Sequence, residues 1–176
     1  MLAASSLIRF TRRKFVTALA LTAAGLTGNQ TNAESSVQKS QFSNRFIGVW
    51  RYRSFRNVTN VAQKLDDILF WEAELSLNDK GDGHVEGMIG DASDKLNVIG
   101  SSTFGFPNYL RFEANGIPGT STEGWKYNYV GFLAPDWPDG VDQQDAIVGT
   151  VIRSVAHSNG KAKAGYVASF VAVRMS

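Results

Sequence analysis

The chain has 176 residues, with 18 lysines and arginines against 16 aspartates and glutamates, and no cysteine. The lack of cysteine excludes disulfides, thiolate nucleophiles, thiolate metal sites and a lipidated-cysteine anchor. A formal charge of +2, with no basic cluster in the body of the chain, gives no electrostatic footprint of a nucleic-acid or anionic-lipid binder.

The first informative stretch is Thr11-Arg12-Arg13-Lys14-Phe15-Val16, followed by an apolar run over 18–26 and then Thr31-Asn32-Ala33. Paired arginines, an apolar segment too short to cross a bilayer and a small residue at a cleavage position predict a secretory signal helix over 1–33. The hexapeptide resembles the twin-arginine (Tat) export signal of bacteria, with Val16 and Thr17 where leucine and lysine are common. That resemblance implies that the Tat export machinery reads Arg12 and Arg13, that the protein folds before export, and that it ends up periplasmic or secreted. Cleavage after Ala33 would leave no stable membrane anchor. It would also remove Arg9, Arg12, Arg13 and Lys14 and no acidic residue, so that the charge of +2 becomes −2.

Residues 34–41 are Ser, Gln, Lys and Glu with almost nothing apolar, and read as a flexible leader. The domain proper spans 42–176. It is rich in glycine, aromatic and β-branched residues and broken by turn signals at short intervals, which is an all-β pattern. Eight strands are predicted, at 48–56, 68–77, 84–89, 95–101, 109–114, 125–134, 146–156 and 164–174. Asn78 to Gly83, Asn115 to Gly119 and Ser158 to Lys161 supply the Asn, Asp and Gly residues that tolerate turn geometry. Residues 58–67 form a short helix or a loop, with Val61, Leu65 and Ile68 on one face. The stretch 135–145, with two prolines and four aspartates, should be a surface loop.

Short strands joined by hairpins predict an eight-stranded antiparallel up-and-down barrel, because closing the sheet removes its exposed edges. Alternation assigns the faces. Leu69, Trp71, Ala73, Leu75 and Leu77 point one way and Glu72, Glu74 and Ser76 the other; Trp125, Tyr127, Tyr129 and Leu133 lie opposite Lys126 and Asn128. In the eighth strand both faces are apolar or small, which predicts packing on both sides.

The segment Phe42-Ser43-Asn44-Arg45-Phe46-Ile47-Gly48-Val49-Trp50 resembles the opening of a lipocalin, where a short helical turn leads into Gly-x-Trp on the first strand. The resemblance implies a calycin-like barrel, in which the first-strand tryptophan, here Trp50, packs at the closed end against a basic residue of the last strand, here Arg174. A guanidinium over an indole face is a sound pairing in its own right. No helix follows the last strand, which looks more like the avidins. The middle of the chain carries neither lipocalin motifs nor an avidin set of biotin contacts, so the resemblance names no ligand.

A barrel of eight strands either fills with side chains or holds one small guest. Trp71, Trp125, Tyr127 and Tyr129 are candidate pocket walls, with Ser54 and the tyrosine hydroxyls as oriented polar contacts. The same rings could instead fill a solid core. His84 and His157 sit at strand ends, away from any metal-ligand spacing, and are expected to be solvated. Glu72 and Glu74 should face water, and Arg56 is the one ionisable candidate for the interior. Asp136, Asp139, Asp142 and Asp145 suit a hard cation such as Ca²⁺, but not in EF-hand order, so that loop is read as solvated and no metal or cofactor is expected. Three functions stay open: an exported barrel binding a small hydrophobic or aromatic molecule, a cofactor-free isomerase- or cyclase-type enzyme on the same barrel, and a solid barrel whose 135–145 loop meets a partner. The sequence leaves the oligomeric state open.

Overall fold

In the computed structural model, residues 44–103, 105, 107–136 and 139–175 are described; the expected signal over 1–33, the leader over 34–41 and Phe42 lie outside them. Eight strands follow in chain order: β1 Gly48–Arg56, β2 Leu69–Gly81, β3 His84–Gly90, β4 Lys95–Thr103, β5 Tyr109–Gly116, β6 Lys126–Leu133, β7 Ala146–Arg153 and β8 Val167–Arg174. Each pairs antiparallel with its neighbour, and β8 returns to β1, so the sheet is a closed up-and-down barrel compatible with a calycin-like fold. The strands follow the period-two rule except where β2 begins, at a bulge. In β2, for example, Ala73, Leu75 and Leu77 are buried while Glu74 is exposed.

Strand ends differ from the predicted ones for local reasons. β2 runs on to Gly81 because Asn78 and Asp79 still pair with Glu86 and Val85, and Asp82 and Gly83 turn the chain at φ 51° and 78°. β8 starts only at Val167, after Gly165 has turned the chain at φ 80°. Its outer face is not packed: Val167 and Val173 are exposed while Ala168, Phe170 and Ala172 are buried, which corrects the two-sided expectation. The 58–67 segment holds only a 3₁₀ turn, Leu65–Ile68; Val61 and Leu65 are exposed while Ile68 is half-buried, so the three do not pack as one apolar face.

One end of the barrel is closed. A 3₁₀ turn, Asn44–Phe46, carries Phe46 into the core, and the Trp50 indole nitrogen donates to the Phe46 carbonyl at 3.0 Å. Trp50 stands opposite Arg174 in the β1–β8 register, and the guanidinium lies 4.2 Å from the ring centroid. Arg174 donates to the carbonyls of Ile47, at 2.8 Å, and Arg45, and pairs with Asp145 at 3.1 Å. Gly48, at φ 133°, is required here: a Cβ would come within 2.7 Å of the Arg174 guanidinium.

The 135–145 loop belongs to this closed end and is not simply solvated. Asp145 and Asp136 both pair with Arg45, at 3.1 and 3.4 Å, and Asp145 also holds Arg174, so two of the four loop carboxylates are turned onto arginines. Trp137 and Pro138 lie outside the described residues.

Candidate functional site

The other end is open, and a cavity of about 220 Å³ lies in its mouth. Its walls are Tyr52, Phe70, Trp71, Asp94, Leu96, Trp125, Tyr127, Tyr129, Val151, Arg153 and His157. Below it the barrel is solid: Phe112 stacks on Tyr129 with centroids 4.3 Å apart, and Tyr52 and Phe170 close against them at 5.4 to 6.1 Å. Pocket and filled core, alternatives in the sequence, are therefore stacked one above the other.

Strand alternation delivers Tyr52, Trp71, Tyr127 and Tyr129 to the interior, and Trp125 reaches the mouth from the residue just before β6. Ser54 also points inward and is fully buried, but its hydroxyl bonds to the Trp71 carbonyl at 3.4 Å and does not line the cavity. Trp71 is braced from outside, its indole nitrogen donating to Asp91 at 3.2 Å. Asp91 caps the β3–β4 turn, and the amide hydrogen bonds from Asp94 and Ser93, with the Ser93 hydroxyl, hold its carboxyl well below the usual carboxylate range.

Seven lining residues were not foreseen: besides Tyr52, Leu96 and Val151 they are Phe70, Asp94, Arg153 and His157. Phe70 should alternate outward, but the register slips between Ser54 and Phe55, and this bulge swings Phe70 to the rim, where it stacks on Tyr166 at 5.3 Å. Asp94 comes from the β3–β4 turn and accepts the Ser121 hydroxyl at 2.7 Å. Arg153 has the same parity as buried Ile147 and Val151, so alternation could have found it. Arg56, the ionisable residue expected inside, is exposed.

His157 is the main correction. Instead of being solvated it is held over the mouth by a small hairpin, in which its backbone pairs with Ala162 around Ser158, Asn159 and Gly160, all at positive φ. Its ring stacks on Trp125 with centroids 4.2 Å apart, and its Nε2 lies 2.7 Å from the Tyr127 hydroxyl. His84 is exposed, as expected. In the Nδ1–H tautomer of neutral His157 the contacts form a directed chain: Arg153 Nε donates to Tyr127 at 3.5 Å, Tyr127 donates to Nε2, and Nδ1 donates to the Ser158 hydroxyl at 2.9 Å.

Burial, and then the positive charge of Arg153, push the His157 pKa below its ordinary 6.5. A depressed imidazole leaves stability intact above that ordinary value and removes it as the pH falls through the folded value. Thermal stability should therefore drop as the pH falls below that ordinary value, and His157→Gln should flatten part of that slope in calorimetry. At the cavity floor, burial raises the Tyr52 and Tyr129 hydroxyls well above the tyrosine range, so both remain neutral. Glu72 and Glu74 lie on the outer face, Glu72 paired with Arg51 and Arg53 at 3.2 and 3.4 Å. Among the described residues no group of three or more His, Cys, Asp or Glu is placed to hold a metal ion.

Comparison of the chain with known protein families, characterised proteins and solved structures finds no match. The functional reading accordingly stands on the geometry of the mouth.

Proposed function

We propose that this is an exported β-barrel that binds a small aromatic or apolar molecule in its open mouth. The supporting observation is the cavity of about 220 Å³ bounded by Trp71, Trp125, Tyr127 and Tyr129 above a filled core. It is smaller than the roughly 300–1,000 Å³ of drug-sized sites, which points to a guest of one or two rings. A preformed apolar cavity with a few fixed polar groups favours such a guest, because both surfaces lose water and the walls need no reordering.

Binding should quench tryptophan fluorescence and raise the melting temperature by mass action. Trp125→Ala removes one stacking wall, a contact of about 0.5–1.5 kcal/mol beyond its buried area, so affinity should fall on the order of tenfold while the fold persists. Equal binding by this variant and the parent would rule out the mouth as the site.

A second reading is favoured by one contact, the Tyr127 hydroxyl at 2.7 Å from His157 Nε2 in the pocket wall. A bound molecule could exchange a proton with that pair, as in a cofactor-free isomerase. Turnover that is lost in His157→Gln while binding is kept would select it.

Export rests on the likeness of Arg12-Arg13 to the twin-arginine signal. Changing both to lysine keeps the charge but removes the guanidinium geometry, so the precursor should accumulate in the cytoplasm on fractionation. Unimpaired export would overturn the Tat assignment.

A further inference from the structure

We infer that the guest carries a carboxylate and that Arg153 receives it, a conclusion that rests on the mouth being a ligand site. Among the described residues, Arg45, Arg51, Arg53 and Arg174 each lie within ion-pair distance of an aspartate or glutamate. Arg56 and Arg111 do not, but both are exposed and solvated. Arg153 differs from both groups: it is half-buried, it lines the cavity, and it has no carboxylate partner among the described residues.

The surroundings of Arg153 hold it without neutralising it. Its guanidinium carbon lies 5.6, 5.9 and 5.4 Å from the ring centroids of Phe70, Tyr127 and Tyr166. Those contacts favour a cation and fix the plane of the fork. Of its five N–H donors, Nη1 is committed to the Lys163 carbonyl at 3.1 Å and Nε to the Tyr127 hydroxyl at a long 3.5 Å. Donors remain for a ligand oxygen, and a planar guanidinium matches a carboxylate better than any other common anion of one or two oxygens.

The other charge in the lining gives the site a direction. Asp94 is an anion held by Ser121 and forms no ion pair with Arg153, so a ligand carboxylate is attracted to the Arg153 side and repelled from the Asp94 side. The ring body of the guest then falls against Trp125 and Trp71. Recognition of this kind selects an aryl or short apolar carboxylic acid over its alcohol or ester.

Naphthoate and naphthalenemethanol share one ring body and differ in the charge, and titrating each against tryptophan fluorescence separates the two claims. The parent protein should bind naphthoate about tenfold or more tightly than the alcohol. Arg153→Met should bring the two affinities together by weakening naphthoate alone, and Trp125→Ala should weaken both. Arg153→Lys, which keeps charge but not the fork, should recover only part of the preference. If the parent binds both equally, or prefers the alcohol, the carboxylate assignment is overturned and the pocket survives. If neither ligand perturbs the fluorescence or the melting temperature, the pocket reading itself falls. The comparison in the parent decides the matter even should an Arg153 variant fold poorly.

Discussion

Replacing Trp50 with alanine should destabilise the barrel by about 3–5 kcal/mol, read as a lower denaturation midpoint. The indole is fully buried, its nitrogen bonds to Phe46 and its face carries Arg174, so truncation removes the transfer energy of a large aromatic and leaves a cavity under a charged group. The strands on either side are fixed by pairing, Trp50 with Leu75 on β2 and with Arg174 on β8, so little collapse can fill the space. A loss below about 1 kcal/mol would mean that the closed end does not depend on this residue.

Arg174→Met should cost about 2–4 kcal/mol although it preserves an apolar stem of similar length. The carbonyls of Arg45 and Ile47 lose their donor, Asp145 keeps only Arg45, and Trp50 loses the cation over its face. Because the Arg174 side chain is 27% exposed, water replaces part of this, and the figure stays below that of a fully buried broken ion pair. Trp50 and Arg174 touch, so their costs should not add: the double variant should lose less than the sum of the singles by at least about 0.5 kcal/mol in urea unfolding. Strict additivity would show that the pair is adjacent without being coupled.

The closed end was legible in the sequence because its parts are local or terminal: Gly48 and Trp50 sit together, and Arg174 is on the strand that must return to β1. Strand number and faces were legible through alternation, and with them Trp71, Trp125, Tyr127 and Tyr129. What was hidden depends on how the chain departs from regular pairing. A bulge re-aims Phe70, and a hairpin beyond β7 lowers His157 onto Trp125; neither leaves a periodic trace. Arg153 was not hidden by irregular pairing, since its parity with Ile147 and Val151 places it inside; it was simply passed over in favour of Arg56. The outer valines of β8 misled in the opposite sense, since β-branched residues suit a pleated strand whether or not anything covers them.

The mouth, and not some other surface, should take a small aromatic guest. Indole N–H resonances report this site by site, because Trp71 and Trp125 line the cavity while Trp50 is bonded to Phe46 at the closed end. In a two-dimensional ¹H–¹⁵N titration with naphthoate, the Trp71 and Trp125 indole signals should shift saturably and together while the Trp50 signal stays in place. Movement of Trp50 with Trp71 and Trp125 unchanged, or no saturable shift in any of the three, would contradict it.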